Sequence, residues 1–137
     1  MNTTMTRRRL LAIAASGVAL SACAHMQAQP VDAGLASDLA VNTCRRVMDV
    51  IVCRDNLGIY AWSAICSNDS SLLPAPADGS TQSVCPGDSS VFDREGNVQS
   101  GPATIAQAHF AVSVDASGHI IVDTGNRLAD RTTRTMG

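Results

Sequence analysis

Two cysteines in the middle of the chain are the residues best suited to chemistry. Cys66 begins the short loop Cys66-Ser-Asn68, Cys85 begins the loop Cys85-Pro-Gly-Asp88, and the residues between the loops are rich in Ser, Pro, Gly and Asp. Segments with the composition of β-strands flank both loops. Two cysteines on facing loops can hold one prosthetic group or form one disulfide, and that choice decides the function.

The composition limits the size of the core and the class of partner. A chain of 137 residues holds one small domain, and only 3% of it is aromatic, so Val, Ile, Leu and Ala must form the core. A core of this kind gains from a covalent or metal crosslink. All ten basic residues are Arg, and three of them lie near the N-terminus, which leaves seven against 12 acidic residues. This negative balance argues against nucleic acid as a partner.

The first 22 residues have the pattern of an export signal rather than of a folded element. Arg7-Arg8-Arg9 precede an apolar run from Leu10 to Leu20 that is too short to span a bilayer as a helix. The arginines and their neighbours resemble a twin-arginine signal, and Leu20-Ser-Ala-Cys23 resembles a bacterial lipobox. We therefore predict a signal peptide over residues 1–22, lipidation of Cys23, and a membrane-anchored domain outside the cytoplasm, in the bacterial cell envelope. An ordinary secretory signal whose cleavage removes Cys23 is the alternative.

The rest of the chain divides into a tether, one domain and a tail. Residues 23–39 contain Pro30 and Gly34, show no regular period and are predicted to be a tether. Short β-rich runs separated by turns predict a domain over residues 40–125, followed by a flexible tail over residues 126–137. The strands are predicted at residues 41–47, 50–54, 59–65, 90–93, 110–115 and 119–123. The predicted fold class is therefore all-β, a sandwich or small barrel of short strands.

Roughly residues 40–125 resemble a Rieske iron–sulfur domain. The similarity begins at Tyr60-Ala-Trp-Ser-Ala-Ile-Cys66 and strengthens from Cys85-Pro-Gly-Asp-Ser-Ser-Val-Phe92 to Gly101-Pro-Ala103. Rieske domains carry a Cys-x-His loop and a Cys-x-x-His loop, then a Gly-Ser-x-Phe/Tyr segment and a Gly-Pro-Ala loop over the cluster. They close with a hairpin similar to residues 112–122. The resemblance implies a small antiparallel Rieske-like sandwich with a two-loop cluster-binding subdomain.

The resemblance also implies which residues occupy the ligand positions. In a Rieske centre two cysteines hold one iron of a [2Fe–2S] cluster and two histidines hold the other. Cys66 and Cys85 fall on the cysteine positions, whereas Asn68 and Asp88 fall on the histidine positions. An Asn amide is a poor ligand for iron, but an Asp carboxylate can bind it. One expectation is therefore a labile centre on Cys66, Cys85 and Asp88, and the other is a scaffold that binds no iron.

Further positions of the family are found outside the ligand set. The resemblance implies that four residues contact, shield or cover the cluster: Ser90, Phe92, Gly101 and Pro102. Many Rieske domains join their loops by a disulfide, whose two positions are Ser71 and Gly87 in this chain. His109 and His119 lie near the closing hairpin, so neither falls on a ligand position.

Four cysteines follow the lipobox, and an even number in an exported chain favours disulfides. If Met48-Asp49 is a two-residue hairpin turn, Cys44 lies opposite Cys53 at a non-hydrogen-bonded pair, where side chains are close enough for a disulfide. Two reduced cysteines in the core are the alternative. The resemblance places Cys66 and Cys85 next to each other, and without iron they are expected to form a second disulfide.

Three functions are compatible with these observations. The first is a lipid-anchored Rieske subunit of an electron-transfer chain. The second is a cluster-free lipoprotein that docks to a redox partner or helps to assemble it. The third is a thiol–disulfide element formed by Cys66 and Cys85, which lacks the Cys-x-x-Cys context that lowers a thiol pKa. Asp88, Ser89 and Ser90 are adjacent but have no positioned His base, so no catalysis by this chain alone is expected.

Overall fold

Residues 28–137, the part of the chain that the computed structural model describes, form nine strands and one short 3₁₀ helix, Ala36–Asp38. One antiparallel sheet has the order β1-β9-β8-β4-β3-β2 and a smaller one the order β5-β6-β7. The all-β class predicted from the sequence is confirmed. The strands are β1 (Val31–Leu35), β2 (Thr43–Val47), β3 (Val50–Asp55), β4 (Gly58–Ser63), β5 (Gln82–Val84), β6 (Val91–Asp93), β7 (Val98–Ser100), β8 (His109–Val114) and β9 (His119–Leu128).

The hairpin of β2 and β3 has the predicted register. Val47 pairs with Val50 across Met48-Asp49, and Cys44 lies opposite Cys53. Met48 adopts a left-handed φ of 55°, which tight hairpin turns require and which a residue with a side chain adopts only at some energetic cost. The pairing of β3 with strands on both of its sides offsets this cost.

Two hydrophobic cores lie on opposite faces of the large sheet. Successive side chains of a strand point to opposite faces, and the first four residues of β3 are all buried. Val50 and Val52 therefore enter one core, whereas Ile51 and Cys53 enter the other. The second core also contains Phe92 of the small sheet, so it holds the two sheets together. Both Cys66 and Cys85 belong to this second core.

The folded domain begins before the predicted boundary at residue 40. Residues 31–35, predicted as part of the tether, form β1, and Val31 pairs with Val122 of β9. Val31 and Ala33 are the buried residues of this strand. The alternation of buried and exposed residues in β1 is too short to predict a strand from the sequence, because it ends at Gly34 and the exposed Leu35.

The predicted flexible tail is packed against the domain. Thr135 exchanges backbone hydrogen bonds with Ile59 of β4, each at 2.8 Å. The guanidinium of Arg134 lies 3.8 Å above the ring of Tyr60 and forms an ion pair with Asp55 at 2.8 Å. The sequence of the tail, which contains arginines, predicts exposure to solvent. The hydrogen-bond acceptors of these arginines come together only in the folded protein.

The predicted signal peptide (residues 1–22) and the lipidation of Cys23 lie outside the described residues, and both stay predictions. No helix among residues 28–137 is long and apolar enough to cross a membrane.

Candidate metal centre between two loops

The loops that begin at Cys66 and Cys85 have the same backbone structure. In each loop the residue four positions after the cysteine donates its N–H to the cysteine carbonyl, at 3.0 Å for Ser70 and 2.9 Å for Ser89. These two serines have left-handed φ values of 67° and 65°. The N–H of each cysteine donates to the carbonyl of the residue five positions later, at 2.8 Å in both loops. Two matching turns therefore place the cysteines side by side.

A six-residue repeat, which the sequence-based prediction did not include, underlies this match. Residues 66–71 and residues 85–90 both read Cys-x-x-Asp-Ser-Ser. In both loops Oδ1 of the aspartate accepts the N–H of the residue two positions later, at 2.9 Å in the first loop and 2.8 Å in the second. These bonds give Asp69 and Asp88 equivalent positions in their turns. An alignment of the two loops against each other is the signal that would have found Asp69.

Four ligand-type side chains converge between the loops. Cys66, Asp69, Cys85 and Asp88 each bring one ligand atom to within 4.8 Å of the others. Both cysteines are buried, Asp88 is half-buried and Asp69 is exposed. The two sulphur atoms therefore form the buried side of the group, and the two carboxylates form the side that faces solvent. The sequence pointed to three of these residues and not to Asp69, because Asp69 is not at a ligand position of the family.

Asp69 lies directly against the second loop. Its Oδ1 accepts a hydrogen bond from the Cys85 thiol at 3.2 Å. A Cβ atom on Gly87 would lie 1.9 Å from its Oδ2, so the carboxylate can approach only because residue 87 is glycine. Hydrogen bonds from the Ser71 N–H and then from Cys85 hold the pKa of Asp69 below its usual value.

Asn68 and Asp88, which the resemblance places at the two histidine positions, are bonded to each other. The Asn68 amide donates to Oδ2 of Asp88 at 2.6 Å and so links the loops. The Ser90 N–H and, to a smaller degree, this amide lower the pKa of Asp88 to about 2. Asp88 is therefore ionised at neutral pH, and the side-chain nitrogen of Asn68 donates a hydrogen bond to it.

Cys66 and Cys85 are adjacent free thiols, so the predicted Cys66–Cys85 disulfide is wrong. Each loop is closed by its own hydrogen bonds, and the two sulphurs lie within 4.8 Å of each other without a covalent bond. Burial, together with a hydrogen bond to Cys66, raises the pKa of Cys85 to about 12. The predicted Cys44–Cys53 disulfide, in contrast, is present.

Gln107 fixes the base of the first loop. Its buried amide donates to the carbonyls of Ser63 and Ile65, at 2.7 and 2.6 Å, and accepts the Ser67 N–H at 2.8 Å. A buried polar side chain with its bonds satisfied holds its neighbours in one arrangement. No sequence pattern marked this residue, because its partners lie about 40 positions earlier in the chain.

Ser90 and the Gly101-Pro102 loop lie together at the second loop, where the resemblance placed them. The Ser90 hydroxyl accepts the Ala103 N–H at 3.0 Å in a buried position. Gly101 has a φ of 93°, and a Cβ there would lie 2.6 Å from the Cα of Ser90. This glycine is therefore required for the close approach of the loop. Phe92 of β6, two positions after Ser90, is fully buried.

Neither His109 nor His119 belongs to the four-residue group. His109 is buried, its Nε2 lies 2.6 Å from the Glu95 carbonyl, and its ring stacks on Tyr60. Burial lowers the pKa of His109. His119 pairs with Asp32 of β1 at 2.9 Å on the surface, and this hydrogen bond raises its pKa. Both histidines therefore have partners outside the four-residue group.

The donors present do not fit a Rieske [2Fe–2S] cluster. The second iron of that cluster needs two neutral nitrogen ligands. The two loops offer instead two thiols and two carboxylates, and the Asn68 nitrogen is occupied as a donor to Asp88. These residues therefore support no electron-transfer step through a cluster of the Rieske type.

Solved structures of Rieske proteins share this architecture. A chain of the complex of reduced oxygenase and oxidized ferredoxin in carbazole 1,9a-dioxygenase is 25% identical, with a TM-score of 0.55 over 72% of this chain and 96% of that one. The ferredoxin of carbazole 1,9a-dioxygenase from Nocardioides aromaticivorans IC177 is 26% identical, with a TM-score of 0.51 over 69% and 97%. The plasma membrane Rieske protein PetC3 from Synechocystis PCC 6803 is 22% identical, with a TM-score of 0.55 over 67% and 97%, and supports the fold alone. No protein-family model and no curated protein matches the chain.

The fold and the paired loops together define a Rieske-like domain, as the sequence resemblance implied. Within that class, this chain repeats Cys-x-x-Asp in both loops, and the resemblance places Asn68 and Asp88 at the two histidine positions.

Proposed function

We propose that this protein is a lipid-anchored, Rieske-like subunit of an electron-transfer chain in the bacterial cell envelope, and that its two-loop end docks onto a redox protein. One observation carries the proposal: the two-loop frame is present, while Asn68 and Asp88, which the resemblance places at the histidine positions, are bonded to each other. Because the two loops have the Rieske-like arrangement but lack the histidine ligands of the cluster, a docking role is favoured over electron transfer by a Rieske cluster.

The proteins with similar structures support a redox protein as the partner. One similar chain comes from a complex of an oxygenase with a ferredoxin. The predicted export signal and lipobox support a position at the membrane, outside the cytoplasm. Thiol–disulfide exchange is less favoured, because it needs a thiolate and the pKa of Cys85 is about 12.

An apolar patch beside the loops is the proposed contact surface. Ile65, Leu72 and Ile105 are exposed. Ile65 and Leu72 pair across an antiparallel bridge, and Ile65 and Ile105 line one groove that also reaches Cys66. Grouped apolar side chains that stay exposed are typical of contact surfaces. A partner bound here would cover the first loop.

Ile105→Asp tests the docking surface in the full-length, tagged protein expressed in its native host. Wild type is expected to co-purify with a complex whose subunits carry redox cofactors, as seen by absorption spectra and mass spectrometry. The variant should lower the yield of this complex about tenfold or more, because a charge would be buried in an apolar contact. Leu57→Asp is the matched control, since Leu57 is 71% exposed against 66% for Ile105 and lies at the other end of β4. Equal losses in both variants, or partners without redox cofactors, would overturn the docking role.

The histidine positions provide the test of the chemistry. Protein purified without air should contain little iron and little acid-labile sulfide. The double variant Asn68→His with Asp88→His restores two nitrogen donors and is expected to take up [2Fe–2S], whereas each single variant stays largely empty. Stoichiometric iron and sulfide in wild type would contradict the proposal. A folded double variant that never binds iron would show that the loops have moved too far from a cluster geometry.

The lipid anchor is tested separately at Cys23. Cys23→Ser should abolish labelling by radioactive fatty acid and release the protein from the membrane fraction. Wild-type protein that carries no lipid would show that an ordinary secretory signal is used instead.

A further inference from the structure

The repeated Cys-x-x-Asp loops have the composition and spacing of a mononuclear metal site. We propose that Cys66, Asp69, Cys85 and Asp88 bind one Zn²⁺ ion in a tetrahedral site of two thiolates and two carboxylates. Such a site is independent of docking through Ile105, because the exposed apolar patch supplies none of its ligands.

The distances between the ligand atoms suit a single ion. All four lie within 4.8 Å of one another, and the Cys85 sulphur is 3.2 Å from the Asp69 oxygen. With Zn–S bonds of about 2.3 Å and Zn–O bonds of about 2.0 Å, a tetrahedral ion holds its ligand atoms roughly 3.3 to 3.8 Å apart. Modest side-chain rotations therefore complete the site on the existing backbone.

The two loops supply the ligands in equal shares. Each turn contributes one sulphur and, three residues later, one carboxylate, which is the short spacing by which structural zinc sites take two ligands from one loop. The aspartate of each loop keeps its Oδ1 bond to the backbone, and the Asn68 amide bonds the second oxygen of Asp88. Bonds of this kind orient carboxylate ligands around a metal.

The donor types favour zinc over the hard cations Ca²⁺ and Mg²⁺. Thiolates are soft ligands that Ca²⁺ and Mg²⁺ avoid, whereas Zn²⁺ binds sulphur and carboxylate oxygen alike. Cys66 and Cys85 are buried, adjacent and not bonded to each other, so each has a sulphur available. On binding, the ion displaces one proton from each thiol and forms two Zn–S bonds, with no oxidation or reduction. The side of the site that carries the excess negative charge faces solvent at Asp69.

The ion would join the two sheets of the domain. Cys66 follows β4 of the large sheet, and Cys85 follows β5 of the small sheet. A bound ion would therefore crosslink the same two loops that a cluster joins in Rieske domains, without an electron-transfer role.

Zinc titration of the full-length protein, reduced and freed of metal, tests the site. With a chromophoric chelator as competitor, we expect one Zn²⁺ per chain, and X-ray absorption should show two sulphur and two oxygen ligands. Asp69→Asn and Asp88→Asn should each weaken binding at least tenfold, and Cys66→Ser should abolish it. Asp78→Asn is the matched control, because Asp78 is an exposed aspartate between the loops but outside the group, and it should bind as wild type does.

Three results would overturn the zinc site. The first is the absence of stoichiometric zinc binding in a protein whose thiols are shown to be reduced. The second is an affinity that Asp69→Asn and Asp88→Asn leave unchanged, since the carboxylates would then not be ligands. The third is a Cys66–Cys85 disulfide in protein purified without added oxidant. None of these results bears on docking, which the Ile105→Asp experiment decides.

Discussion

The two cysteine pairs of the described chain end in different chemical states, although they pack in the same core. Cys53, Cys66 and Cys85 all belong to the core between the two sheets, and Cys44 packs against it. Cys44 and Cys53 form a disulfide with a Cα–Cα distance of 4.0 Å, whereas Cys66 and Cys85 are free. Burial in a shared core therefore does not decide whether two cysteines bond.

The difference comes from the elements that carry the two pairs. Cys44 and Cys53 are opposite each other on neighbouring strands, and the backbone hydrogen bonds between β2 and β3 fix their Cα atoms a short distance apart. Cys66 and Cys85 lie on loops that are each closed by their own turn, and the Cys85 thiol donates to Asp69. Paired strands therefore place two cysteines where a disulfide can form. Two turns that are each closed by their own hydrogen bonds place their side chains around a shared site, as metal ligands are.

The largest effect is expected from Phe92→Ala. Phe92 is fully buried in the core between the sheets, and a truncation of this kind costs about 3–5 kcal/mol. The small sheet should then loosen, so thiol reagents should label Cys66 and Cys85 faster while the disulfide stays intact. Urea unfolding measures the first effect, and native-state labelling measures the second. Phe110→Ala in the other core is the control, and equally fast labelling there would show that the loop region does not open separately.

The next largest effect is expected from removing the disulfide. Cys44→Ala with Cys53→Ala opens a crosslink between residues nine positions apart and should cost about 2–3 kcal/mol of unfolding free energy. Cys66→Ala with Cys85→Ala, measured on metal-free protein, breaks no crosslink and should cost about 1 kcal/mol. A reductant should destabilise wild type but not the first variant. If the two double variants lose equal stability in oxidising buffer, the second pair is also bonded in solution.

The smallest effect is expected from Tyr60→Phe, beside the disulfide. The Tyr60 hydroxyl donates to the Arg94 carbonyl at 3.1 Å, and the Trp62 indole donates to the same oxygen, so the loss should be about 0.5–1.5 kcal/mol. Burial raises the pKa of Tyr60 from 10.0 to about 12. The stabilisation of the neutral phenol is therefore complete below pH 10 and disappears as the pH rises towards 12. The stability difference between wild type and Tyr60→Phe should shrink over this range, and a constant difference would show that Tyr60 titrates normally.

Local features explain which parts of the fold could be predicted. The β2–β3 hairpin and its cysteine pair follow from a two-residue turn and from alternation over a few residues. The strands β1, β5 and β7 and the packed tail were missed. Arg134 illustrates the tail: its acceptors Asp55 and Glu95 come from distant turns, so nothing near it in sequence indicates burial.

The sequence by itself determined the all-β class and the hairpin register that places Cys44 opposite Cys53, because side-chain alternation and turn chemistry act between near neighbours along the chain. Only the tertiary structure showed that the Asp69 carboxylate reaches the Cys85 thiol and that Asn68 bonds to Asp88. These contacts join residues 16 to 20 positions apart. They depend on how the small sheet packs against the large one, and no local pattern contains that packing.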